Sequence, residues 1–66
     1  MNILLNGENT TVADATTLAD IVRSMNLEGS RYAIEVNEEL VPRSKHDSHR
    51  LKEGDNVEIV QAIGGG

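Results

Sequence analysis

No cysteine occurs anywhere in the 66 residues, and that absence constrains the chain more than any residue it contains. A chain of this size buries only about 60% of the surface its unfolded form exposes, so one modest core is all it can build. Below roughly 70–80 residues such a core nets only ~3–5 kcal/mol unless a disulfide or structural metal staples it. Without Cys there is no disulfide, no thiolate zinc site and no thiol nucleophile. With no Trp or Phe and a single Tyr, stability must come from aliphatic packing. The missing Cys also suits a reducing compartment.

The apolar residues that could supply this packing fall into a readable order. Ile3-Leu4-Leu5 running into Asn6-Gly7 predicts a strand and a two-residue turn, since Asn-Gly tolerates the positive φ angles of such a hairpin. Residues Asn9 to Ala13 read as the return strand. Leu18, Ile21, Val22 and Met25, spaced i, i+3, i+4, i+7, predict one apolar stripe of a helix with Asp20, Arg23 and Ser24 facing water. Thr17 can cap that helix with Asp20 in the capping-box position, and Asn26 and Gly29 mark its end. Tyr32-Ala33-Ile34-Glu35-Val36 alternates, with Tyr32, Ile34 and Val36 on one face, as a half-buried strand does.

Asn37-Glu38-Glu39 predicts a turn, and Leu40-Val41 a short edge strand stopped by Pro42, which has no N–H to give a ladder. Arg43 to Arg50 reads as a polar crossing segment with one short helical turn begun by Ser44. Leu51 to Asp55 carries a turn, and Val57 to Val60 alternates as the last strand. Runs of strands around one helix argue for an α+β layer pair. A first hairpin, one crossover helix and a last strand able to lie beside the first fit a β-grasp (ubiquitin-like) arrangement. Its mixed sheet of four to five strands would pack on one helix and leave its other face open. The expected organisation is a β-grasp domain over residues 1–61 and a flexible tail over 62–66.

Charge and hydropathy exclude several classes of function. Six Lys+Arg against eleven Asp+Glu give a net charge of −5, which repels phosphate backbones and anionic membranes. Neither nucleic acid nor a membrane is an expected partner; a basic protein surface is. The first residues lack a basic n-region and a long apolar run, and no other stretch approaches a membrane span, so a cytoplasmic protein is expected. His46 and His49 are two ligands at most, short of a closed zinc site, and read as solvated loop histidines. Glu38-Glu39 and Glu53 with Asp55 read as solvated turn carboxylates. The three terminal glycines are no phosphate loop, because no Lys or helix follows them. No catalytic apparatus and no bound cofactor or metal is expected in this chain.

The tail is the sharpest remaining feature. On composition alone, Gly64-Gly65-Gly66 is a frayed end. Placed after the last strand of a β-grasp domain, it reads better as a thread of about 10 Å, at ~3.3–3.6 Å per residue, that slips into a narrow cleft. It would deliver the α-carboxylate of Gly66, which is ionised at neutral pH and competent to attack the α-phosphorus of an ATP held by another protein. Alternation also puts Leu4 opposite to Ile3 and Leu5, and Val60 and Ala62 opposite to Val57 and Ile59. Leu4, Val60 and Ala62 are therefore expected to form a small apolar docking patch near the tail on the outer sheet face.

The element order, the size and the ending Ala62-Ile63-Gly64-Gly65-Gly66 resemble the ThiS family, the ubiquitin-like sulfur carriers of thiamine biosynthesis. The more specific likeness lies in Val36-Asn37-Glu38-Glu39-Leu40-Val41-Pro42-Arg43 and in Leu51-Lys52-Glu53-Gly54-Asp55-Asn56-Val57-Glu58-Ile59-Val60. With Ile3 to Gly7 it covers essentially the whole chain. His46 departs from the pattern, where a bulkier aromatic or aliphatic residue is expected.

The resemblance implies a sulfur carrier rather than an enzyme. An E1-like adenylating enzyme of the ThiF type, using ATP and Mg, would adenylate Gly66. A persulfide sulfur donor would convert the adenylate to a thiocarboxylate, and thiazole synthase of the ThiG type would accept the sulfur. Gly65 and Gly66 would have to stay small to reach both enzymes, with Gly64 adding slack. A carrier serving molybdopterin synthase as its small subunit shares the Gly-Gly end, and a ubiquitin-like interaction module or modifier without a sulfur step stands as a further alternative.

Overall fold

Asn6 and Gly7 take φ angles of 50° and 85°, the left-handed conformation a tight hairpin turn demands. In the computed structural model, which describes residues 1–62, they join β1 (Asn2–Leu5) to β2 (Glu8–Thr11). The second strand is shorter at its end than the sequence predicted. Val12 packs partly buried against the core while Ala13 and Asp14 lead into the helix.

Helix α1 (Leu18–Ser24) carries its predicted stripe inward, with Leu18, Ile21 and Val22 buried and Met25 packed partly against the core. At 7 residues it is too short to persist alone, so its ends and its apolar face must hold it. The Thr17 hydroxyl accepts from the Asp20 N–H at 3.2 Å and the Asp20 carboxylate accepts from the Thr17 N–H at 3.0 Å, the predicted capping box. Two further first-turn donors reach the crossing segment: Leu18 N–H bonds the His49 carbonyl and Ala19 N–H the His46 carbonyl, both at 3.1 Å. The segment after Pro42 is thereby fixed across the helix N-terminus.

The second hairpin pairs β3 (Tyr32–Val36) with β4 (Glu39–Val41), through Asn37 and Glu38 at φ 52° and 70°. Glu39 therefore belongs to the strand, opposite Val36, where the sequence suggested a turn residue. Pro42 ends β4, and the short helical turn that follows is a 3₁₀ turn over Arg43–Lys45, starting one residue before Ser44. β5 (Asn56–Gln61) runs parallel to β1 and antiparallel to β3. The sheet order is β2-β1-β5-β3-β4, so the last strand lies at the centre and β4 at an edge, as Pro42 required.

The helix covers one sheet face. Ile3, Leu18, Ile34 and Val57 are completely buried between the two layers. Leu27 and Leu51 also join this core, although the first lies beyond the helix stripe and the second reads as part of a turn. Among the described residues, no helix is long and apolar enough to cross a membrane.

Candidate functional site

β5 aims the end of the chain. Held on both sides by β1 and β3, it runs through the middle of the sheet and stays in register with β3 as far as Gln61, opposite Tyr32. One residue on, the Ala62 N–H donates to the Arg31 carbonyl at 2.9 Å. Gly64, Gly65 and Gly66, the predicted threading residues and reactive terminus, lie outside the described residues.

A stack of side chains supports the strand end beside Gln61. The Arg43 guanidinium sits 4.3 Å from the Tyr32 ring centroid and donates to the Ser30 carbonyl at 3.0 Å. The His46 ring stacks on Tyr32 at 5.8 Å with an interplanar angle of 25°. The Pro-Arg segment thus braces the start of β3, the strand that pairs with the last residues of β5.

This overturns the reading of His46 as a solvated loop residue. It is only 4% exposed, and its Nε2 lies 2.9 Å from the Val41 carbonyl oxygen. Its Nδ1 is buried without a hydrogen-bond partner among the described residues. The 3₁₀ turn rotates the ring inward, into the place where a bulkier apolar side chain was expected. His49 is half-buried. Among the described residues, no three His, Cys, Asp or Glu side chains gather to hold a metal ion.

The turn carboxylates hold backbone. Glu53 accepts from the Asn2 N–H at 2.9 Å, and Asp55 accepts from the Lys52 N–H at 2.8 Å and from the Asn37 amide at 3.1 Å. An open recess of about 360 Å³ beside β4 is lined in part by Val36, Leu40, Lys45, His49 and Arg50. It contains no Ser, Thr or Cys, and it lies toward the start of β5, away from Ala62.

The expected patch of Leu4, Val60 and Ala62 does not assemble as one surface. All three are exposed, and the register places Leu4 and Val60 on the face away from the helix. Leu4, however, is level with Asn56, four residues and about 13 Å along β5 from Val60, with Glu58 between them. The apolar neighbour across from Val60 is Ala33, and Leu40 stands exposed two strands away, opposite Glu35. Alternation alone identified the face correctly. Only the register could show that β1 meets β5 at its beginning.

A family model described as the ThiS family matches residues 3–66. The chain belongs to the ThiS family. Thiazole synthase of Paramagnetospirillum magneticum is 32% identical over all 66 residues, and the chain spans 20% of that protein's length. A second thiazole synthase, from Magnetococcus marinus, is likewise matched over only 20% of its length. Sulfur carrier protein ThiS of Escherichia coli is 27% identical, with both chains covered completely. The crystal structure of the thiamine biosynthesis protein ThiS from Geobacter metallireducens superimposes with a TM-score of 0.82, at 29% identity and with both chains fully covered. The β-grasp fold expected from the element order is the fold of this ThiS structure.

Proposed function

We propose that this chain is a sulfur carrier of thiamine biosynthesis and that the carboxylate of Gly66 carries the sulfur. The observation that bears most weight is the family match over residues 3–66, joined to a central strand that leads directly into Ala62 and the glycine tail. The chain brings no thiol of its own, which suits a carrier that holds sulfur on a carboxyl group.

The chemistry needs an activated acyl group, because a carboxylate resists attack by sulfur. An E1-like adenylating partner, holding ATP and Mg, would set the carboxylate oxygen against the α-phosphorus, and pyrophosphate would leave. A persulfide would then attack the acyl carbon and expel AMP, and a thiol would cleave the resulting S–S bond to leave the thiocarboxylate. Thiazole synthase would accept that sulfur, a reading supported by the likeness to thiazole synthases. Glycines suit the tail because a side chain would have to be accommodated in both partners' clefts. The molybdopterin-type acceptor, open on the tail alone, draws no support from the ThiS family match.

The test is the mass of the C-terminal peptide after incubation with the adenylating enzyme, ATP, Mg and a sulfur source. The expected result is the gain of one oxygen-to-sulfur exchange, lost when Gly66 is deleted although the protein still melts cooperatively. An unchanged mass on the intact chain overturns the proposal.

A further inference from the structure

β5 is held from both sides only over its first part. Its register with β1 covers Asn56 and Val57, and the Asn6 side chain extends that side as far as Ile59. Beyond Ile59, among the described residues, the strand leans on β3 and its approach alone: Ala33 pairs with Val60, Tyr32 with Gln61, and the Arg31 carbonyl takes the Ala62 N–H at 2.9 Å. The direction in which the chain leaves the sheet therefore depends on where the Arg31 carbonyl stands.

Arg31 lies one residue outside β3, in the loop that follows Gly29, so the strand ladder does not fix it. Both of its neighbours are held by one side chain. The Arg43 guanidinium donates to the Ser30 carbonyl at 3.0 Å and lies 4.3 Å from the Tyr32 ring centroid. Among the described residues the Ser30 carbonyl accepts from no other group. The base of Arg43 is itself anchored, because the 3₁₀ turn that carries it buries His46 and receives the Ala19 N–H at the His46 carbonyl. A planar guanidinium can cover a ring and bond a carbonyl in one geometry, which the single ammonium of a lysine cannot.

The geometry points to Arg43 as a positioning residue for the reactive terminus: by clamping Ser30 and Tyr32 it sets the Arg31 carbonyl, which fixes Ala62 and so the point from which the glycine tail departs. The inference rests on the proposed sulfur-carrier reading and adds a residue far from Gly66 in the sequence that acts on its delivery. Arg43 takes no part in the chemistry. Its effect falls on the placement of the carboxylate, where a displacement of about 1 Å can cost as much as about a hundredfold in rate.

The experiment compares wild type, Arg43→Ala, Arg43→Lys and Arg23→Ala, each at a temperature where thermal melts show it folded. Arg23, paired with Asp20 on the helix, controls for the loss of an arginine. Two readouts are taken: the backbone ¹⁵N order parameter of Ala62 against that of Ile59 in the free protein, and kcat and KM for the carrier in ATP–pyrophosphate exchange by the adenylating enzyme. In Arg43→Ala the Ala62 order parameter should fall by about 0.2 while Ile59 stays rigid. Its kcat should drop about tenfold with KM within about twofold of wild type, the split expected when positioning is lost and binding is kept. Arg43→Lys should fall between Arg43→Ala and wild type, and Arg23→Ala should match wild type in both readouts. An unchanged order parameter at Ala62, a raised KM with kcat intact, or an equal loss in Arg23→Ala overturns the positioning role. A wild-type chain that supports no exchange overturns the carrier reading, while the Ala62 readout still decides whether Arg43 holds the strand end.

Discussion

The side-chain carbonyl of Asn6 accepts a hydrogen bond from the backbone N–H of Ile59 at 2.8 Å, so a residue in the first turn completes the ladder of the last strand. The Asn6 N–H still donates to the Val57 carbonyl at 2.9 Å. Beyond that point the backbone, at φ 50°, has turned away from β5, and the side-chain oxygen takes the place of the next strand carbonyl. Asn37 does the same on the other side of β5, where its Oδ1 accepts from the Asn56 N–H at 3.0 Å. The strand that carries the functional tail is therefore fastened by two turn asparagines as well as by its neighbours.

Replacing Asn6 separates the two roles of that residue. Asn6→Gly keeps the left-handed backbone and loses only the bond to Ile59, at an expected cost of about 1 kcal/mol. Asn6→Ala loses the same bond and also lacks the short polar side chain by which Asn tolerates a left-handed backbone, so it is expected to cost about 2–3 kcal/mol in total. Urea denaturation of both variants checks the order; equal costs would mean that the backbone conformation contributes nothing.

His46 behaves as a core residue. His46→Ala removes the ring stacked on Tyr32 and leaves a cavity, with an expected loss of about 2–4 kcal/mol. His46→Leu has similar volume and removes the unpartnered Nδ1, so it is expected to stay within about 1.5 kcal/mol of wild type. Chemical denaturation distinguishes this from a solvated histidine, for which both variants would match wild type.

The helix cap has a pH signature. The Thr17 N–H, followed by the Arg23 guanidinium and the Thr17 hydroxyl, holds the Asp20 carboxyl below its ordinary value of 3.8. Its folded-state pKa is depressed, so its contribution to stability is present above about pH 3.8 and is lost as the pH falls through the folded value. Asp20→Asn should flatten that part of the acid limb in a series of thermal melts. Thr17→Ala should cost about 1 kcal/mol at neutral pH, the usual worth of an N-cap.

Local chemistry made much of this molecule legible without coordinates. Asn6-Gly7 announced the first hairpin, the stripe of Leu18, Ile21 and Val22 with Thr17 and Asp20 described the helix, and Pro42 placed β4 at an edge. These signals act within a few residues, where backbone sterics and side-chain periodicity determine the outcome. Leu51 hid in a turn and His46 in a polar stretch because their burial depends on groups far away in the chain: the Thr16 carbonyl for the backbone of one, the Tyr32 ring for the side chain of the other.

What the sequence determined by itself was the set of elements, the open face of the sheet and a glycine tail on a chain without a thiol. What the tertiary structure decided was which of those residues meet. Period-two alternation tells which side of a strand a residue occupies, but the neighbours across the sheet follow from register, which pairing and turn geometry set together. Register moved Leu4 away from Val60, set Glu58 against Glu35, and let two turn asparagines reach the strand that leads to the tail.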